Sequence, residues 1–347
     1  MNLPILAIDM GYGDTKAMSY GPTNPRLVFR SAFAPFRSSG VPLGTSYGIT
    51  VETSRMDMDL GPESRNVGPF IVGDKSPLYP GATEPAGKER LGTDAALLFI
   101  GEAMLRSGIS GDFILSTGAP LDLFAEESRK ASRLSGVDIT VKSTKGQTVK
   151  GRIVNVITRP QGFAAAMALR GADKFPKVPG IAVLVDIGSR TTDVMSIALT
   201  ETGEGLDPIP PLCFSIPVGV GEFLNRIGEG ISRELKDFQP QRTLIQANLG
   251  QKMFHYSGKS CELAPIEAAA RTSTVGVIVE EIRRRFGEQI PMVVSLAVVG
   301  GGAKPTLLAP VSRGLFPGAV PLEIDPDHAV FMNTEGYLLA AIEQANH

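Results

Sequence analysis

The sequence predicts an α/β protein made of two related halves, and three observations carry that prediction. The chain has 347 residues, more than one hydrophobic core usually supports, so two lobes are expected. Two stretches about half a chain apart repeat one pattern: an apolar strand, Asp-x-Gly, a small polar turn, and a second strand. Around them, short β-branched runs alternate with segments of helical spacing.

Residues 183–197 set the pattern. Apolar, β-branched runs flank a turn of Gly188, Ser189, Arg190, Thr191 and Thr192, which reads as a hairpin whose buried first strand delivers Asp186 to its end. Such a turn suits an anion. Small residues let backbone N–H groups approach phosphate oxygens, and Ser189, Thr191 and Thr192 add hydroxyls. Asp186 cannot bind phosphate but can hold a hydrated Mg²⁺. Residues 4–18 repeat the pattern with Asp9, Gly11, Tyr12, Gly13, Asp14 and Thr15, and add Lys16, a cation at a place where the second copy has none. That cation assigns the β- and γ-phosphates to the first hairpin. A tight hairpin with polar turn residues explains either copy alone. Two copies point to halves facing one another across a cleft, each contributing a hairpin to one site.

The rest of the chain is read in order. Residues 21–90 are rich in Gly and Pro, with strand-like pieces at 26–29 and 70–73, as in a small insertion on the first lobe. A helix follows at 93–106 with Thr93 or Asp94 as N-cap. Residues 113–120 form a buried strand ending in a Gly-x-Pro turn, and 121–134 the next helix. A β-pair at 138–141 and 152–157 is joined by a polar loop, 142–151. The Ala-rich run after Pro160 reads as a helix packed closely on a neighbour, with Gln161 at its N-terminal mouth.

In the second half, 212–218 is a strand. Gly219, Gly221 and Asn225 belong to a Gly-rich turn opening a helix, which can carry a nucleotide or simply pack. Residues 264–286 form a long helix whose Arg283, Arg284 and Arg285 make a solvated, dipole-compatible end. Residues 295–303 are a strand ending in Gly300, Gly301 and Gly302. A planar group can lie flat on such a turn, and a valine at Gly302 should then fill ligand space without harming the fold. The small-residue helix at 332–341 returns to the first lobe and pairs with the Ala-rich helix as a hinge. The Pro-rich stretch 174–180 is the boundary, so lobe I is 1–178 with 325–347, including an insertion at about 21–110, and lobe II is 179–324.

Composition narrows the function classes. Hydrophobic residues make up 43% and charged residues 20% of the chain, with a net charge of -2, so neither disorder nor a coiled coil is indicated and no direct nucleic-acid partner is expected. Cys213 and Cys261 lack CxxC spacing and read as ordinary small side chains. His255, His328 and His347 are scattered, which gives little support to a histidine-based centre. No apolar run reaches the roughly 18 residues of a membrane span and no signal-peptide pattern opens the chain, so a cytoplasmic protein without a membrane partner is expected.

These motifs, in this order, resemble the actin, sugar-kinase and large heat-shock-chaperone superfamily. Residues 8–16 look like its first phosphate motif, 186–193 its second and 299–303 its adenosine motif. Residues 158–168 and 333–341 look like its two connecting helices. The 116–121 turn, the 70–73 strand and the Pro-Gln-Gly start of the first connecting helix look most like ParM/StbA-type bacterial actins. That resemblance implies an actin-like α/β fold of two RNase-H-like lobes around a nucleotide cleft. It also implies ATP (or GTP) with Mg²⁺, a homopolymer filament, and plasmid DNA segregation through a DNA-binding adaptor.

Many relatives have Glu after the Pro of that helix. Here it is Gln161, and a neutral amide orients water without taking its proton. The expected chemistry is in-line attack of water on the γ-phosphate. Asp9 and Asp186 hold Mg²⁺ through its waters, Gln161 positions the nucleophile, and the glycines at 300–302 bed the adenosine. The absence of a Gly-x-x-x-x-Gly-Lys-[Ser/Thr] run disfavours a P-loop enzyme. A small-molecule kinase on the same fold is the alternative, but the only carboxylate in the 118–124 motif, Asp122, reads as an N-terminal helix residue. A chaperone-like switch lacks an appended peptide-binding domain.

Overall fold

The computed structural model describes residues 3–21, 24–36, 48–54, 65–84, 90–202, 205–236, 238–304, 307–312 and 315–345. His347 and parts of the expected 21–110 insertion lie outside them. The chain divides into two compact units, one of residues 1–168 with 333–347 and another of 169–332. The first division falls inside a helix, ahead of the Pro-rich stretch 174–180.

In the first unit β-branched and apolar runs become β1 (Ile5–Met10), β2 (Asp14–Tyr20), β3 (Arg26–Arg30), β4 (Phe33–Pro35), β5 (Ile49–Ser54) and β6 (Arg65–Val72). Then follow α1 (Asp94–Ser107), β7 (Gly111–Ala119), α2 (Phe124–Ser132), β8 (Asp138–Ser143), β9 (Thr148–Pro160) and α3 (Phe163–Gly171). Among the described residues the strands form one sheet in the order β3-β2-β1-β7-β9-β8-β5-β6-β4. β1 is buried at every position, so its unbroken apolar run is that of a strand covered on both faces. The Thr93 hydroxyl accepts the Ala96 N–H and caps α1. Leu97, Leu98 and Ile100 of that helix join Leu6, Ile8 and Leu115 of the sheet in one core.

Two expectations change here. Residues 121–123 form a 3-10 turn before α2 instead of its first turn. The polar stretch 142–151 is mostly strand, because Lys142 pairs with Thr148 while Val141 and Val149 stay buried. One exposed face of an antiparallel pair tolerates the polar residues between.

The second unit runs β10 (Gly180–Ile187), β11 (Thr192–Leu199), β12 (Asp207–Pro208), β13 (Phe214–Ile216), α4 (Val220–Leu235) and α5 (Arg242–Asn248). It continues with β14 (Met253–Tyr256), β15 (Lys259–Glu262), α6 (Leu263–Phe286), β16 (Val293–Val299), β17 (Val320–Pro321) and α7 (Pro326–Ala329), and α8 (Met332–Ala345) takes the chain back into the first unit. Its main sheet is ordered β12-β11-β10-β16-β17, with β13 also on β11. Both units therefore share one plan: an antiparallel hairpin whose first strand pairs in parallel with a later one, β1 with β7 and β10 with β16.

The expected 212–218 strand shrinks to β13, since Pro210–Leu212 is a 3-10 turn. The β14–β15 hairpin lies outside the sequence expectations, although Ser257 and Gly258, at φ 48° and 77°, are a turn signal. The arginine run ends α6 as expected, and Glu281, hydrogen-bonded to Arg284 and Arg285, is held down at a pKa of about 2. No described helix is long and apolar enough to cross a membrane.

Within the first unit α8 lies on α3 at van der Waals limits. A Cβ on Gly336 would stand 2.7 Å from the Ala164 Cα, with backbone rather than a mobile side chain in the way. Gly336→Ala should therefore cost about 1–3 kcal/mol or more, the range for overpacking. A denaturant midpoint equal to wild type would refute this packing.

Candidate functional site: two glycine-turned hairpins

In the first unit β1 and β2 pair so that Asp9 faces Lys16 and Met10 faces Thr15, leaving residues 11–13 as the turn. The turn is tight. A Cβ on Gly11 would sit 2.6 Å from the Asp14 carbonyl oxygen. Lys16 folds back over it, its Nζ donating to the Asp14 carbonyl at 3.1 Å, so an ammonium stands over a concave backbone turn. The Gly13 carbonyl accepts the Ser31 N–H and anchors the turn from below. Thr15 is fully buried with its hydroxyl against Ser31 at 2.9 Å, so that hydroxyl is spent within the protein.

The same unit brings Gln161 to Asp9, 152 positions away in the chain. Asp9 is 6% exposed, and Gln161 Nε2 donates to its Oδ1 at 3.0 Å. Gln161 is itself placed by its N–H on the Ala119 carbonyl, while the next N–H, of Gly162, reaches Asn333 Oδ1 at 2.9 Å. Sequence reasoning passed over Asn333 as a site residue. No spacing links it to residue 162.

In the second unit β10 and β11 place Asp186 opposite Asp193, and the Gly188 N–H closes the turn on the Thr191 carbonyl at 2.9 Å. Asp186 is 5% exposed. The turn hydroxyls are largely spent on the protein. Thr192 donates to the Val218 carbonyl at 2.8 Å and Thr191 to Asp193 Oδ2 at 3.3 Å, while Ser215 donates to Asp193 Oδ1. Thr192 therefore ties the hairpin to the strand-exit loop and leaves no hydroxyl for phosphate. Gly188, Ser189 and Arg190 remain accessible.

Gly219 and Gly221 pack against the same turn. The Val220 and Gly221 N–H groups donate to the Gly188 and Ser189 carbonyls at 3.0 and 2.7 Å. A Cβ would stand 2.5 Å from the Gly188 oxygen at 219 and 2.8 Å from the Ser189 oxygen at 221. These glycines let α4 dock on the β10–β11 turn, whose carbonyls take the N–H groups of Val220 and Gly221. Asn225 accepts from Arg242 Nε at 3.0 Å, which brings in an α5 residue that no motif marked.

The three glycines after β16 also divide. Gly300 has φ 83° and would drive a Cβ into the Asp186 carboxylate, and a Cβ on Gly302 would lie 2.7 Å from the Ile187 Cβ. Only Gly301 faces open space. Neither buried carboxylate belongs to a metal cage, for no group of three His, Cys, Asp or Glu residues stands together among the described residues. The buried strand-end carboxylates Asp9 and Asp186 fit Mg²⁺, which keeps several waters and takes one or two protein carboxylates. Cys213 and Cys261 form no disulfide, and burial pushes both thiols up.

Residues 7–163 match the family described as actin like proteins, N terminal domain, and residues 184–307 match archaeal actin homologue MreB-like, C-terminal. An archaeal actin homolog of Thermoplasma acidophilum is 29% identical over 97% of this chain and 98% of its own length. The crystal structure of Ta0583, an archaeal actin homolog, in complex with ADP has a TM-score of 0.79 at 28% identity, covering 99% of this chain and 100% of that one. A ParM filament structure from Clostridium botulinum has a TM-score of 0.80 at 18% identity, covering 99% and 100%, and at that identity it speaks for fold alone.

The contacts of Gly302 overturn the expectation that a valine there would spare the fold. Gly302→Val should lower the melting temperature without nucleotide by several degrees, because about 1–3 kcal/mol of overpacking falls on Ile187. Gly301→Val should melt like wild type. Equal melting of both variants in a thermal scan would contradict this division.

Proposed function

We propose that this chain, which matches two actin-like family models and shares the fold of an archaeal actin homolog, is an ATPase that assembles into filaments with ATP and Mg²⁺ and disassembles after hydrolysis. The observation that carries this reading is the Gln161 amide on the buried Asp9 carboxylate beside a glycine turn overhung by Lys16. A relative crystallised with ADP and a similar fold found in ParM filaments support it.

Each residue of the two hairpins has a share of the work. Lys16 and the backbone of Gly11, Tyr12, Gly13, Asp14 and Thr15 neutralise the β- and γ-phosphates, and Gly188, Ser189, Arg190 and Thr191 contribute the second hairpin. Asp9 and Asp186 would hold Mg²⁺, which would supply charge neutralisation at the phosphates. With Nε2 committed to Asp9, the Gln161 amide oxygen is the acceptor that orients water toward the phosphorus. It cannot take the proton, so hydrolysis is slow relative to assembly. The adenosine is assigned to Gly300, Gly301 and Gly302, with Gly301 as the accessible position, and Asn225 and Arg242 border the same unit's phosphate turn. GTP is an alternative nucleotide.

The cellular role we attach to this cycle is plasmid DNA segregation in the cytoplasm through a DNA-binding adaptor. The small-molecule kinase is not favoured. Asp122, the carboxylate it would need, is exposed in the 3-10 turn before α2.

Gln161→Ala should slow phosphate release roughly 10–100-fold, near the low end for positioned groups, while assembly persists and filaments live longer. Light scattering with parallel phosphate detection reads both, and filaments that disassemble at the wild-type rate would refute the role. Asp186→Ala should abolish Mg²⁺-dependent hydrolysis, a loss of several kcal/mol of transition-state stabilisation. Wild-type turnover in that variant, or a wild-type protein that never pellets with ATP, would overturn the assignment.

A further inference from the structure

Arg90 lies far in sequence from both hairpins and in no motif, yet its side chain ends on the first phosphate turn. Its guanidinium carbon stands 3.2 Å from the centroid of the Tyr12 ring, and its Nη1 donates to the carbonyl of Met10, the last residue of β1. One planar group therefore holds both the entry and the middle of the turn that Lys16 overhangs.

The arginine is itself fixed. Its N–H and that of Leu91 donate to Glu127 Oε2 at 2.9 and 2.7 Å, and its carbonyl accepts the Thr93 hydroxyl at 2.7 Å. Glu127 is 3% exposed, and its other oxygen accepts Lys130 Nζ at 3.1 Å. A buried carboxylate is costly unless its oxygens are hydrogen-bonded, and here two successive backbone N–H groups and Lys130 supply those bonds. Arg90, Met10, Pro120 and Glu127 line one small cavity beside the turn.

We infer that Arg90 is a positioning residue for nucleotide binding: it clamps Tyr12 and Met10 so that the turn N–H groups are preorganised for phosphate, with Glu127 as its anchor. This rests on the nucleotide reading of the first hairpin. A preformed turn lowers the ordering cost of binding equally for ground and transition states. Loss of the clamp therefore raises KM and leaves kcat alone.

Packing alone would show itself as lost stability with unchanged KM. Arg90→Ala should raise KM for ATP about 10-fold, the equivalent of 1.4 kcal/mol, with kcat within about two-fold. Arg90→Lys should behave like Arg90→Ala, because an ammonium cannot lie flat on a ring while donating to a carbonyl. Tyr12→Leu cuts the same contact from the other side, which covers a failure of the arginine variants to fold, and combining it with Arg90→Ala should add nothing.

Lys16→Ala is the control. If it weakens ATP binding while Arg90→Ala and Tyr12→Leu do not, the clamp is wrong and the site stands. If Arg90→Lys matches wild type, charge rather than stacking acts and the inference falls. If Lys16→Ala itself leaves ATP binding unchanged, the nucleotide reading fails and the clamp with it.

Discussion

A carboxylate buried near the end of the central strand of each sheet is the constraint on which both units turn. Asp9 and Asp186 are each nearly inaccessible, and an ion in such a place is costly unless something polar holds it. In the first unit the Gln161 amide does so, and with the Gln161 and Gly162 N–H bonds to Ala119 and Asn333 it holds the chain as β9 leaves the sheet and α3 begins. In the second unit Asp186 lies against Gly300, where only a glycine at φ 83° leaves room for the carboxylate. The same strand end is thus bordered differently in the two units, by a side-chain amide at Asp9 and by a glycine at Asp186.

The shared plan of the two sheets makes this possible. A hairpin feeding a parallel strand puts the turn and the end of the central strand on one edge, where strand-end residues of an α/β sheet can meet a ligand. What differs is the furniture of the turn. The first carries a lysine, an aromatic ring and an arginine lying on that ring. The second is braced from within by Asp193, which takes Thr191 and Ser215, and from below by the N-terminus of α4. The first turn is therefore the more cationic and the second the more rigidly backed.

Glycine carries several meanings along this chain. At Gly11 it lets the turn close on itself, at Gly219 and Gly221 it lets a helix dock on carbonyl oxygens, and at Gly336 it lets two helices touch backbone to backbone. At Gly301 it leaves surface open. All five read alike as letters. Each differs in what stands opposite, and that neighbour is usually remote in sequence.

Local sequence accounts for the two hairpins, the strand-end aspartates, the Thr93 cap and the long α6 helix. Periodicity, turn chemistry and capping act within a dozen residues, so the causes lie beside their effects. The same letters marked Gln161, Lys16 and the turn residues as one chemical set. It took packing in three dimensions to assign Thr192 to Val218, 26 positions on, Gly302 to Ile187, and Arg90 to the ring of Tyr12. Those contacts are made by side chains brought together through sheet order and helix docking, and burial then spends each hydroxyl or N–H on whichever partner is nearest in space.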